Sequence, residues 1–324
     1  MTERRPATDR AAVAIFITGC NGFIGTRLLR QLLPHISEEV YCLVHSRVDA
    51  FRAMQFSRAV DTIEGGMNDV AAYAACLARC DTVVHLAAAT GNAGPRQFEE
   101  VNVRGTARLL DACRRGGVRN IVFLSTIAVT FSDKKQYYYA QSKQEAEQLV
   151  QDSGLNFLIV RPTIVVGAGG KAWEGLMKLA ALPCVVVFGD GRPLVQPIYV
   201  DDLVKIIGDM ILGKRYQNEI LEVGGPEQVS MIEFLRRIHR AHSGKEPFGI
   251  LKIPLGMLTA VLTLVETVLG PTGPLSVGQL ASFKNDGCAD NRNMPPGNGA
   301  TTTIARMITL ALHNERDTRN GPTA

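Results

Sequence analysis

The stretch QYYYAQSK, residues 136–143, sets three tyrosines ahead of a lysine, and only Tyr139 stands four positions before Lys143. On a helix, residues i and i+4 share a face one turn apart. Tyr138 would share its face with Ser142 and Tyr137 with Gln141, so one phenol at most has an ammonium beside it. A phenol titrates near pH 10, too high for an efficient base at neutral pH. A neighbouring ammonium favours the phenolate, so Lys143 is expected to acidify Tyr139. The plainer alternative is a charged pair on a helix surface.

A second stretch supplies a setting for that chemistry. ITGCNGFIGTRLL places Gly19, Gly22 and Gly25 between an apolar run and a helical pattern. Glycines there permit a tight turn and let backbone N–H groups at the helix start approach a pyrophosphate. The spacing is G-x-x-G-x-x-G, and Asn21, Phe23 and Ile24 fall inside the same binding loop. The next apolar run ends in LVHSR, with no carboxylate before Asp49. NAD-binding chains carry an acid at this point, whereas a cation accommodates a 2′-phosphate. His45 and Arg47 therefore favour NADP, with NAD as the alternative and a solvated Arg47 as the plain reading.

The elements that must position these residues follow from the apolar rhythm. VAIFIT (13–18), VYCLV (40–44), TVVHLAA (82–88), NIVFLS (120–125) and NFLIV (156–160) are short, Val- and Ile-rich runs that predict strands buried on both faces. Helical patterns alternate with them, which predicts an α/β chain with a doubly wound parallel sheet of Rossmann type. The rhythm breaks after Pro162. The expected division is a tail at 1–12, a dinucleotide-binding domain at 13–165 rejoined by 196–224, a smaller α+β substrate lobe at 166–195 and 225–315, and a tail at 316–324. Asp201 is expected to cap the helix that follows it.

Composition narrows the function. The 324 residues are 46% hydrophobic and 20% charged with a net charge of +4, an ordinary globular balance without a basic stripe for nucleic acid. Seven scattered cysteines lack zinc-site spacing, so no metal is expected. The polar start MTERRPATDRAA has no apolar signal core, which argues for a cytoplasmic protein. The apolar segment 253–270 carries Glu266 and is slightly short for a span. It predicts a buried or amphipathic helix, with attachment to a membrane surface as the alternative.

In order, TGCNGFIG, DTVVHLAA, NVRGTARLLDAC, IVFLSTIAV, YAQSK, LIVRPTIVVG and QPIYVDDLV resemble the extended short-chain dehydrogenase/reductase family, relatives of the NAD-dependent epimerases and dehydratases. The resemblance covers residues 13 to about 235. It implies that Tyr139 and Lys143 are the catalytic tyrosine and lysine and Thr126 the catalytic hydroxyl, with Ser125 beside it. It further implies that Ala87 and Ala88 pack along the cofactor, that Pro162 and its neighbour Ile164 touch the nicotinamide, and that Asn102 is structural. It implies a homodimer as well.

Three departures bear on the substrate. Thirteen positions separate Thr126 from Tyr139, shorter than in many sugar-nucleotide epimerases. GGMND puts Gly66 where the family often has an Asp, leaving adenine to the backbone of Met67. Val195 stands where an Arg usually reaches the pyrophosphate, with Arg192 nearby either bound in its loop or free in solvent. The reading that results is an NAD(P)-dependent oxidoreductase or epimerase acting at a secondary alcohol or ketone of a small molecule, a nucleotide sugar first. The alternatives are a reductase of a non-sugar ketone and a non-catalytic NADP(H)-binding assembly or sensor protein.

Overall fold

The computed structural model describes residues 14–91, 93–269, 276–291 and 299–320. The expected tail at 1–12 lies outside them. At the other end a helix runs Ile304–Asn320, so the chain is still helical where a tail was expected from 316, and 321–324 lie outside the described residues.

Seven strands form one sheet: β1 (Ala14–Thr18), β2 (Val40–Val44), β3 (Asp61–Glu64), β4 (Cys80–His85), β5 (Asn120–Leu124), β6 (Asn156–Pro162) and β7 (Glu219–Val223). Their order is β7-β6-β5-β4-β1-β2-β3 and every pairing is parallel. Side-chain alternation splits the strands between two cores. Ile15, Ile17, Val84, Val122, Leu158 and Val160 face one, while Phe16, Val83, Ile121, Phe123 and Ile159 face the other. Five of the strands are the predicted apolar runs. β3 is a half-exposed edge strand, DTIE, and its lack of an apolar run follows from that position.

Helices cover both faces: α1 (Phe23–Leu32), α2 (Val70–Leu77), α3 (Gly105–Gly116), α4 (Tyr138–Gln151), α5 (Lys171–Ala180), α6 (Val200–Leu212), α7 (Met231–Ser243), α8 (Leu255–Leu269) and α9 (Ile304–Asn320). Asp201 does not cap α6. Tyr199 holds the cap position, Asp201 lies in the first turn 3.7 Å from Arg27, and Asp202 accepts the Thr301 and Thr302 N–H groups. A carboxylate inside the first turn still meets the positive end of the helix dipole.

The smaller α+β lobe is tied together by short strand pairs from distant segments. Val185–Phe188 runs parallel to Ile250–Ile253, and Leu194–Val195 antiparallel to Val229–Ser230. Trp173 of α5, Phe234 of α7 and Met307 of α9 join the sheet's first core. The lobe is therefore fixed to the sheet by shared apolar packing. α8 is the exception, because Leu255, Leu258 and Leu262 touch that core while its other face is open to solvent. No helix among the described residues is long and apolar enough to cross a membrane.

Candidate active site

Strand order reverses between β1 and β4, which opens a crevice beyond their C-terminal ends. Gly19 turns there with φ +70°, and a Cβ on it would lie 2.6 Å from the Ala87 nitrogen. Gly25, in the first turn of α1, faces the Gly19 carbonyl so closely that any side chain would collide with backbone. Gly22 occupies the cap position of α1 with no side-chain capping bond, and the first turn holds no acid. The helix start is thus free to receive an anion. Asn21 donates to the Ser46 carbonyl at 2.7 Å, tying this loop to the segment after β2 that carries His45 and Arg47.

The predicted dinucleotide-contact residues fall mostly along this crevice. The Ala87 N–H donates to Thr18 Oγ1 at 3.2 Å. Ser125 ends β5 with its hydroxyl buried and unpartnered, an orphan that fits a polar group arriving from outside. Phe23 and Ile164 line one cavity together, with Pro162 buried at the end of β6. His45 and Arg47 are exposed, and Arg47 sits at φ 55° ahead of a short helical turn, Val48–Arg52. Met67 stands at the start of the segment that follows β3. Its side chain is buried in the second core, and its carbonyl already accepts the Tyr73 hydroxyl at 3.0 Å.

Tyr139 and Lys143 are one turn apart on α4, as the spacing predicts, and burial dominates the protonation of both. Lys143 is 2% exposed, and its Nζ lies 3.8 Å from the centre of the Phe123 ring. Burial pulls its pKa down to about 7, against the opposing pull of Glu147. Tyr139 is held above the ordinary phenol range, first by burial and then by Tyr137. Its ring packs 5.9 Å from both Phe98 and Tyr137. Desolvation outweighs the one-turn spacing, so the phenol is protonated at neutral pH.

α4 is anchored from behind. The chain bends through a π-helical segment, Glu99–Arg104, and this aims Asn102 inward. Its amide accepts the Ala89 N–H at 2.7 Å and donates to the Ala89 carbonyl at 3.2 Å and Ser142 Oγ at 3.0 Å. Ser142 in turn donates to the Tyr139 carbonyl at 2.8 Å. Beneath lies a buried relay. The Thr106 hydroxyl donates to the Asn102 carbonyl, so it accepts from His85 Nε2–H at 2.9 Å, and His85 Nδ1 is left to accept the Thr18 hydroxyl at 2.7 Å. Burial, with Lys143 nearby, presses the His85 pKa to about 3, in keeping with that neutral tautomer.

Two cavities border this helix. The first, about 290 Å³, is lined by Gly91, Phe98, Tyr139 and Thr263, among others. The second, about 260 Å³, is lined by Phe23, Thr126, Ile164 and Lys171. Tyr137 lines both, Tyr139 borders the first and Thr126 the second. Lys171, at the start of α5, extends toward Gly91 and so toward the first chamber, its Nζ 3.9 Å from where a Gly91 side chain would begin. Lys171 was not marked in the sequence, whereas Tyr137, as a neighbour of Tyr139, was expected to pack or to line the pocket. The Tyr-Tyr-Tyr run was the only signal, and Lys171 has no motif around it. Arg192 lines neither chamber. It is 86% exposed beside Asp190, which settles its two sequence readings in favour of solvent.

A glycine cradle at the sheet's reversal, with a tyrosine and lysine one turn apart beside it, defines the extended short-chain dehydrogenase class. The family model for the NAD dependent epimerase/dehydratase family matches residues 15–224, and the chain belongs to that family of oxidoreductases and epimerases. An N-acetyl-alpha-D-glucosaminyl-diphospho-ditrans,octacis-undecaprenol 4-epimerase of Escherichia coli O157:H7 is 26% identical over 264 residues, 75% of this chain and 77% of that protein. A divinyl chlorophyllide a 8-vinyl-reductase of Arabidopsis thaliana is 30% identical over 207 residues, covering 60% and 46%. The solved UDP-glucose 4-epimerase of Thermus thermophilus, in complex with NAD, shares the fold with a TM-score of 0.71 at 20% identity, covering 94% and 99%.

Proposed function

We propose that the protein moves a hydride at a secondary alcohol or ketone carbon, with Tyr139 exchanging a proton with the substrate oxygen. The observations that support this reading are the glycine cradle at the sheet's reversal, the orphaned Ser125 hydroxyl just past β5, and Tyr139 one turn before the buried Lys143 on α4. A nicotinamide dinucleotide supplies the hydride donor or acceptor when bound. Gly22–Gly25 hold its phosphates, and Lys143, behind Tyr139, orients its ribose. Thr126 accepts the Ala128 N–H at 3.3 Å, which leaves its hydroxyl proton to a substrate that reaches past Tyr137 from one cavity into the other.

Tyr139 rests as a phenol, the form that gives a proton to a carbonyl oxygen. It reaches phenolate only against positive charge brought by an oxidised dinucleotide. Arg47 is exposed and has no carboxylate partner among the described residues, which supports NADP over NAD.

The favoured substrate is a sugar carried on a diphosphate. Lys171 supports this as the cation that borders the second chamber and extends toward the first, and the Escherichia coli relative, named for a diphosphate-linked sugar, is in line with it. A second reading, reduction of a non-sugar ketone, is favoured by the apolar wall of Phe23, Ile127, Phe131, Ile164 and Val195. Purified protein with NADPH or NADH and a panel of sugar nucleotides and ketones tests both. Turnover that falls about 10²–10⁴-fold in Tyr139→Phe, with dinucleotide binding retained, is the expected result. Turnover unchanged in that variant contradicts the proposal.

A further inference from the structure

The most exposed apolar surface in the described chain belongs to α8 and the strand that feeds it. Within α8, Leu255, Leu258 and Leu262 pack toward the core, whereas Met257, Val261 and Leu264 project outward. The outward positions are spaced i, i+4 and i+7, one stripe along the helix. Just upstream, Phe248 is 98% exposed, and Leu251 is exposed on the strand Ile250–Ile253. Five large apolar side chains thus lie on one short stretch of chain. Patches of this kind, rimmed by polar groups, mark binding surfaces for proteins or membranes.

The rim identifies the partner. Lys245 and Lys252 flank Phe248 and Leu251, both are exposed, and neither has a carboxylate partner among the described residues. The nearby Glu246 is held by Arg240. An apolar stripe on a helix, with unpaired lysines on the segment that feeds it, suits an anionic bilayer, where a helix lies in the interface with its apolar side among the acyl chains.

Position supplies a second reason. Thr263, on α8 beside Leu264, lines the chamber that holds Tyr139, so the patch continues into the rim of that chamber. A second protein seated on this face would crowd that rim, whereas a bilayer admits a lipid-borne molecule sideways.

We infer that α8 and the strand before it dock on the surface of an anionic lipid bilayer and bring the Tyr139 chamber to the interface, where it meets a substrate carried on a lipid. The docking rests on the exposed face alone, and only the lipid-borne substrate rests on the catalytic reading above.

Sedimentation of the full chain with vesicles of phosphatidylethanolamine and phosphatidylglycerol tests it, without substrate. The wild type pellets with the vesicles. Met257→Asp/Val261→Asp/Leu264→Asp loses about tenfold of the bound fraction, and Lys245→Glu/Lys252→Glu loses a smaller, salt-sensitive share. NADPH binding at the wild-type level shows that the variants fold. If the triple variant does not fold, Val261→Trp, quenched by brominated lipid, reports the same contact. A wild type that stays in the supernatant, or a triple variant that pellets equally, overturns the inference. So does a wild-type dimer that the triple variant splits while vesicles go unbound, because a second copy then covers the face. Turnover of a water-soluble substrate is measured alongside. A wild type that leaves the vesicles unbound while turning over its substrate through Tyr139 sinks the docking alone, and turnover independent of Tyr139 with vesicle binding kept sinks the catalytic reading alone.

Discussion

The two sides of the cleft are built differently. On the side proposed for the dinucleotide, the site rests on backbone. Glycines crowd the β1 turn, a helix start is left open, and Thr18, His85, Thr106, Asn102 and Ser142 join β1, β4, the π-helical segment, α3 and α4 by buried hydrogen bonds. On the substrate side it rests on side chains from scattered segments. Lys171, Tyr137, Thr263 and Ser282 meet at two chambers although they come from α5, the cap of α4, α8 and the stretch after it. A backbone device tolerates almost no substitution and stays the same whichever substrate is used. A wall of side chains can change one residue at a time, which is how one fold hosts many substrates.

The largest effect that would break this contrast is at Gly25. In Gly25→Val the side chain meets the Gly19 and Cys20 backbone, and NADPH affinity should fall about 100-fold or more, with a loss of stability of about 1–3 kcal/mol. Isothermal titration and chemical denaturation measure the two. A variant that binds normally would show that the cradle does not hold the dinucleotide.

Next is Asn102→Ala, which strips the Ala89 backbone of its partners and frees Ser142. A loss of about 2–4 kcal/mol is expected, with kcat reduced more than NADPH affinity, because the Tyr139 end of α4 is what loosens. An equal loss in both would make Asn102 a purely structural residue. Arg47→Glu is smaller and acts on one ligand, weakening NADP against NAD by about tenfold in paired binding titrations. An unchanged ratio would return Arg47 to the solvated surface.

The smallest effect at neutral pH belongs to His85. Its folded pKa is about 3, whereas the unfolded chain takes up a proton near 6.5. The contribution of His85 to stability is therefore whole above about 6.5 and is lost as pH falls toward 3. Imidazole NMR should show an Nε2–H tautomer that does not titrate between pH 5 and 8. A titration in that range would open the relay.

The same contrast explains what the sequence revealed. Strands β1, β2, β4, β5 and β6 were legible because burial on both faces demands unbroken Val- and Ile-rich runs, and the Gly19–Gly25 loop because only glycine fits there. Edge strand β3 and the two-residue strands of the lobe carry no such demand. The π-helical turn at Asn102 left no trace in residue types. The Tyr139–Lys143 spacing was legible, but its electrostatics were not, since i+4 geometry says nothing about how deeply Phe123 and Phe98 bury the pair. The exposed face of α8 was hidden for the opposite reason. Its sequence is apolar all round, and only the packing shows which side is left uncovered.

A crystal structure of the wild type soaked with NADP tests the central claim most directly. The pyrophosphate is expected over Gly22–Gly25 and the nicotinamide beside Pro162, with the Tyr139 hydroxyl about 4 Å from its reactive carbon. A dinucleotide bound elsewhere, or seated in the cradle with Tyr139 turned away from the nicotinamide, would contradict it.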